Sequence, residues 1–355
     1  MTGLPQPGRR NLLALLLTLP ATVRAAQPVA MPSAVAAFVD KLRLLVAGPA
    51  DGVLNRWADA LLPALEQSLP PDTSIRRIEV GSADGVTGAN QFEVRGAPDG
   101  QTVMLVPGQA ALAWMVGDPR AQFDVAHWVP VLAGATSGIV LGRPTVLAPD
   151  GRARVAAGGP VSPDLVAMLG IQLLGANMEP VFGLAEPAAA QAAFAQGAVD
   201  AVLVHGHRVP EQAAAYAAAG ALPLFALSAH DDVGRVVRDP AFPAVPHFAE
   251  MFTSRTGGRP GGALYEAWSA AAAAVRLEFG LVLPQLTPAS MVALWRRAAT
   301  DAVGVLGVQT AAAMAHVRPL TGPVANANTA ALAASAFALA ELRNWLVTRL
   351  NWRPA

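Results

Sequence analysis

Leu42-Arg43-Leu44-Leu45-Val46 runs into Ala47-Gly48-Pro49-Ala50-Asp51-Gly52, after which Leu54, Trp57, Ala58, Leu61, Leu62 and Leu65 fall at three- and four-residue spacing. The apolar run has the length and flanks of a strand, and the Gly/Pro cluster reads as a turn. The spacing after it places the apolar side chains on one face of a helix. The chain therefore opens on a strand, a Gly-rich loop and a helix.

The unit recurs. Ile75 to Val80 reads as a strand, followed by Gly81-Ser82-Ala83-Asp84-Gly85-Val86-Thr87-Gly88 and a helix from Ala89. Thr102 to Val106 is a third strand, ending in Pro107-Gly108-Gln109. Val129 to Ala133 and Ile139 to Leu141 are further extended runs. Arg154 to Ala157 leads through Gly158-Gly159-Pro160 to a helix opening near Ser162-Pro163-Asp164, with Ser162 as N-cap and Pro163 in the first turn. Helices are expected over Ala188–Gln196 and Glu211–Ala219, strands over Val199–Val204 and Leu222–Leu227, and one amphipathic helix over Thr329–Leu350. Strands alternating with helices indicate an α/β fold with largely parallel sheets. Ligands of such sheets bind beyond the carboxyl ends of the strands. The Gly-rich loops sit at those ends, where a helix N-terminus offers free N–H groups to an anion. Plain turns are the other reading of the same loops.

The 355 residues suffice for two domains. Hydrophobic residues make up 53% and charged residues 14%, but much of the apolar share is alanine. Past the N-terminus there is no run of ~18 strongly apolar residues, the length a bilayer crossing needs. A soluble mature chain is expected. The formal charge is +0 and no basic patch carries interleaved aromatics, which argues against nucleic acid. With no cysteine, disulfides, thiolate zinc sites and a cysteine lipid anchor are excluded. Residues 1–26 read as a secretory signal. Arg9 and Arg10 form the charged region, Asn11 to Pro20 the apolar region, and small residues near Ala25 or Ala26 a cleavage site. Sec and twin-arginine export both remain open.

These marks, taken in order, resemble the substrate-binding receptors of tripartite tricarboxylate transporters, the TctC-like or Bordetella-uptake-gene (Bug) family. The resemblance runs from about Leu42 to Trp352. Ala47 to Asn55 corresponds to the family's first loop, Pro-aromatic-x-Pro/Ala-Gly-Gly-x-x-Asp. Gly81 to Gly88, then Ala97-Pro98-Asp99-Gly100-Gln101-Thr102, corresponds to Pro-Gly-Ala-Gly-Gly-x-x-Gly and Ala-Pro-Asp-Gly-Tyr-Thr. Gly197-Ala198-Val199-Asp200, Leu222 to Ser228 and Pro243 to Glu250 are similar to later family marks.

The resemblance implies a type II periplasmic-binding-protein fold, two α/β lobes joined by hinge strands. Lobe 1 would combine residues 40–137 and 264–355, and lobe 2 would be residues 138–263. It also implies periplasmic capture of a small carboxylate by backbone amides, and delivery to the permease subunits of such a transporter. The chain departs from the family at Asp51 and Asp84, where the family has Gly. Each Asp either caps a helix or a turn, or receives a ligand ammonium, or marks a repurposed site. Phe182 stands where the family often has Tyr, so that side of the pocket is expected to be more apolar. Thr253 to Leu277 is longer than the family's segment and reads as a surface insertion, or as a lid or partner surface.

Candidate ligand-binding residues in the first loop are Gly48, Pro49, Ala50, Asp51 and Gly52. The second loop offers Ala83, Asp84, Gly85 and Thr87, and the third Gly108 and Gln109. Thr136 and Ser137 are expected near the hinge, and Gly159, Ser162 and Phe182 on lobe 2. His205 and His207 are close enough to share a metal, but no acid cluster nearby in sequence completes a set. No nucleophile elbow, Walker loop, dinucleotide fingerprint or His-Glu-x-x-His motif is present. The reading is a monomeric solute-binding protein that needs no cofactor or metal and catalyses nothing, serving a small organic carboxylate or zwitterion. The alternative is an orphan binding protein that signals to a membrane sensor.

Overall fold

Strand β1 (Leu42–Val46) alternates its side chains between two apolar layers, which is why its sequence is apolar almost throughout. Leu44 and Val46 enter one buried cluster and Leu45 the other. The computed structural model describes residues 42–71, 73–148 and 152–353. The signal read at 1–26 lies outside the described residues.

After β1 come α1 (Val53–Ser68), β2 (Ile75–Glu79), α2 (Val86–Arg95), β3 (Thr102–Val106) and α3 (Gly108–Val116). The chain continues through β4 (Trp128–Ala135), β5 (Ser137–Gly142), β6 (Arg152–Ala156), α4 (Leu165–Leu173), β7 (Asn177–Val181) and α5 (Pro187–Ala195). Next are β8 (Ala201–Gly206), α6 (Val209–Ala218), β9 (Leu222–Ala226) and the short hairpin of β10 (Ala229–His230) and β11 (Val236–Val237). Helices α7 (Phe248–Thr256) and α8 (Ala263–Arg276) precede β12 (Leu277–Pro284). The last elements are α9 (Ala289–Val303), α10 (Leu306–Ala315), β13 (Arg318–Leu320), α11 (Gly322–Ala330) and α12 (Ala336–Leu350).

Two lobes follow from two mixed sheets. The larger has strand order β13-β4-β12-β3-β1-β2 and the smaller β7-β6-β8-β5-β9. In the larger, β1 pairs parallel with β2 and β3, and β12 lies antiparallel between β3 and β4. The parallel strands direct three loops toward the same edge. Helix α8 joins the lobes. Ala267, Ala270, Ala271 and Ala274 are buried on it, and small side chains permit that close approach. The Trp268 indole N–H donates to the Val166 carbonyl on α4 at 2.9 Å. One apolar cluster consequently runs from Met104 and Leu112 in the first lobe to Val155 and Leu165 in the second.

The interlobe crossings meet at Arg276. The Arg276 guanidinium donates to the carbonyls of Thr136 and Ser228, and the Thr136 N–H returns a bond to the Arg276 carbonyl at 2.8 Å. Asp239, 1% exposed, lies 3.8 Å from Arg276 and accepts from the Ser137 hydroxyl at 2.9 Å and the Ala241 N–H at 3.0 Å. Burial pulls the Arg276 pKa down, and the Asp239 carboxylate works against that.

Several sequence expectations change. Thr253 to Leu277 divides in two: residues 253–259, 261 and 262 are exposed, whereas α8 fills the seam between the lobes and is not a surface insertion. Thr329 to Leu350 is broken in two, since α11 ends at Ala330 and Ser335 starts α12 by accepting from the Ala338 N–H. Helix α4 begins at Leu165 rather than beside Ser162, whose hydroxyl instead donates to Gly159 and to the Asp164 carboxylate. Helix α2 starts at Val86, three residues before the expected Ala89.

Candidate functional site

Loops at the carboxyl ends of β1, β2 and β3 converge on a cavity of about 400 Å³ between the lobes. The first loop is held by its own bonds: the Asn55 amide donates to the Pro49 carbonyl at 2.6 Å, and the Gly52 N–H to the same oxygen at 2.9 Å. The second loop passes Gly85 at φ +75°, a left-handed conformation that favours glycine, and a Cβ there would lie 2.4 Å from Pro107. The third loop enters α3 at Gly108, packed against the end of α8 so tightly that a Cβ would sit 1.9 Å from the Ala274 carbonyl oxygen.

Helix α1 follows Gly52 and α3 follows Pro107, and neither has a side-chain N-cap bond. Their first turns line the cavity through Gly52, Val53 and Leu54 and through Gly108 and Gln109. Such turns carry partial positive charge and donor N–H groups. Of the sequence candidates, Gly48, Pro49, Gly52, Ala83, Gly108 and Gln109 line the cavity.

The other candidates are placed elsewhere. Ala50 and Asp51 are exposed and are not among the residues that line the cavity. Asp84 accepts from the Ser82 hydroxyl at 2.8 Å, from the Val86 N–H at 3.2 Å and from Arg120 at 2.9 Å. Gly85 packs on Pro107, and Thr87 is exposed. Thr136 and Ser137 belong to the Arg276 crossing. Gly159 and Ser162 form the turn before α4, and Phe182 is 41% exposed just after β7.

Residues outside the sequence candidates complete the walls. Leu112, Pro163, Val275 and Leu277 make them apolar, and His205, His207 and Glu278 supply the ionisable groups. His207, on the β8–α6 loop, crosses to the other lobe. Its Nδ1 lies 2.9 Å from the Ala315 carbonyl, and its Nε2 lies 2.8 Å from Glu278 Oε1. A carbonyl only accepts, so Nδ1 carries a proton. A neutral ring would then aim a lone pair at the Glu278 carboxylate, and the imidazolium alone satisfies both contacts. The Glu278 bond accordingly raises the His207 pKa, against burial and the Arg56 charge. His205, two residues earlier, has no side-chain hydrogen bond to protein among the described residues, and burial lowers its pKa despite Asp164 and Glu278. One histidine is held charged and the other neutral. No group of three metal-ligating side chains occurs among the described residues.

The histidine spacing was visible in sequence, but Glu278, far along the chain, carried only one signal. It is the acid in the otherwise apolar run Leu277-Glu278-Phe279-Gly280-Leu281-Val282-Leu283.

No family model and no curated protein sequence matches the chain. Solved structures do. A ligand-free TctC solute-binding protein from Polaromonas is 18% identical, over 87% of this chain and 98% of that one, with a TM-score of 0.63. MatC from Rhodopseudomonas palustris, with bound malate, is 18% identical over 86% and 98%, with a TM-score of 0.47. An adipate-bound protein from R. palustris is 15% identical over 86% and 97%, with a TM-score of 0.48. The likeness to the Polaromonas protein covers nearly all of both chains, and the fold is that of the type II periplasmic binding proteins, two α/β lobes with a cavity between them.

Proposed function

We propose that the protein is a periplasmic solute receptor that captures a small organic carboxylate or zwitterion and passes it to the membrane subunits of a tripartite tricarboxylate-type transporter. One observation carries this reading: the uncapped first turns of α1 and α3 meet at one interlobe cavity. Converging helix N-termini favour an anionic group. A volume of about 400 Å³ is within the range of small-molecule sites. The ionisable side chains at the walls form one ion pair and one neutral imidazole, a set suited to binding a polar ligand. We place the lobe boundaries at 137/138 and 263/264, which leaves the Thr136–Arg276 bonds at the crossing.

The test is a thermal-shift screen of refolded protein against mono-, di- and tricarboxylates and amino acids. A ligand at a hundred times its dissociation constant adds about 2.7 kcal/mol of stability. At least one compound is expected to give such a shift. Silence across the panel from a folded protein overturns the receptor reading. Uptake of the hit by cells with and without the gene then tests delivery to a transporter against signalling to a sensor.

A further inference from the structure

The cavity sets helix donors beside an acid. The first turns of α1 and α3 bring partial positive charge and donor N–H groups. Glu278 and the last turn of α8, through Ala274 and Val275, bring negative charge next to them, where Gly108 of α3 packs on the Ala274 and Leu277 carbonyls. Glu278 Oε1 accepts from the Trp57 indole at 3.4 Å and faces His207 at 2.8 Å. Among the described residues Glu278 Oε2 has no protein hydrogen bond, although the side chain is only 12% exposed. The His205 ring, on the same cavity wall, likewise has no protein hydrogen bond among the described residues.

Among the described residues no arginine or lysine lines the cavity. A dicarboxylate would place its second charge near Glu278, with no counter-ion to receive it. Burying such a charge unpaired costs several kcal/mol. A plain monocarboxylate would leave Glu278 Oε2 and His205 without partners in a closed site. Desolvated polar groups left unsatisfied are costly in the same way.

We propose that the cavity takes a zwitterion with an apolar body, its carboxylate on the first turns of α1 and α3 and its ammonium on Glu278 Oε2 beside His205. The inference rests on the solute-receptor reading and specifies its ligand. A zwitterion adds no net charge to walls whose own ion pair sums to zero. The neutral His205 ring offers a lone pair to the ammonium, whereas a charged ring would repel it. Leu54, Leu112 and Leu277 then face the ligand's carbon skeleton.

The experiment is calorimetric titration at pH 7 with matched pairs: L-leucine against 4-methylpentanoate, and L-phenylalanine against 3-phenylpropanoate, with adipate and malate as dicarboxylates. The amino member of at least one pair is expected to bind about tenfold tighter or more than its desamino partner, the scale of a charged hydrogen bond. Glu278→Gln is expected to remove that preference. The wild-type comparison needs no variant, so poor folding of the Glu278→Gln chain does not weaken the test. Tighter binding of a desamino acid or a dicarboxylate overturns this inference and leaves the receptor reading standing. An amino preference that survives Glu278→Gln overturns the assignment to Glu278. Absence of binding by every probe overturns the inference and the receptor reading together.

Discussion

Arg276 and Glu278 lie two residues apart where α8 runs into β12, yet one closes a sealed crossing and the other opens on a cavity. Around Arg276, 5% exposed, the guanidinium meets two carbonyls and the Asp239 carboxylate, all from segments that pass between the lobes. Around Glu278 the bonding is incomplete: His207 and Trp57 share one oxygen, and the other has no protein partner among the described residues. A buried charge with several partners fixes a backbone geometry. Asp239 Oδ2 also lacks a hydrogen bond, but it is sealed behind Arg276 at 3.8 Å, whereas Glu278 with its spare oxygen lines the cavity, where a ligand can reach it. The difference puts a closed bonding network and an open cavity wall two residues apart in the chain.

The largest effect is expected at the crossing. Arg276→Met removes the donor to Thr136 and Ser228 and leaves Asp239 charged and buried without a cation. Breaking a buried pair in this way costs about 3–5 kcal/mol. Chemical denaturation of wild type and variant measures it. Asp239→Asn added to Arg276→Met is expected to recover part of the loss, because the uncompensated charge is gone. A cost under about 1 kcal/mol, with the double variant no more stable, would put the crossing on a level with an ordinary surface ion pair.

At the cavity wall the expected effect is smaller and depends on pH. His207 has a raised pKa in the folded protein, from the Glu278 contact first and the Ala315 carbonyl in addition. The pair's stabilisation is therefore fully present below the ordinary histidine pKa of about 6.5, and it is lost as pH rises through the higher folded value. His205, His230 and His247 have lowered pKa values through burial and contribute with the opposite sign, so the raw pH profile of stability mixes both. The wild-type minus His207→Gln difference isolates the pair. It is expected to be largest in acid, up to about 1 kcal/mol for a pair with one half-exposed partner, and to shrink toward alkaline pH. A difference independent of pH would mean that His207 acts through its Ala315 bond alone.

The two regions were unequally legible in sequence. The opening strand, loop and helix were readable because their pattern is local: β1 ends at Val46, and the Leu54–Leu65 spacing produces α1 as expected. The first loop and the start of α3 could be placed at the cavity for the same reason, since the end of a strand is marked by Gly and Pro. The Arg276 crossing was not readable, because its partners are brought together by tertiary folding from residues 136, 228 and 239. Alanine-rich α8 misled for a physical reason. Alanine suits both an exposed helix and a tight seam, and composition alone does not separate them. The acid that faces the cavity was missed, while two acids in conspicuous loops were noticed.

Those loop acids supply the smallest predicted effect and the sharpest contrast with Glu278. Asp84 has the residue type and loop position of an ammonium receptor, but its oxygens are engaged by Ser82, the Val86 N–H and Arg120. Arg120 is 62% exposed, and an ion pair so open to solvent contributes little. Asp84→Ala is therefore expected to cost about 0.5–1 kcal/mol, most of it from the lost turn bonds, and to leave ligand affinity unchanged. The measurement is a titration of wild type, Asp84→Ala and Glu278→Gln with whichever amino acid binds best. If the acid that matters faces the cavity, affinity falls at Glu278 alone. A comparable fall at Asp84 would bring the second loop into the site and shift the ammonium away from β12. Proximity in sequence to a Gly-rich loop would then have been a better guide than an unpartnered oxygen in a buried wall.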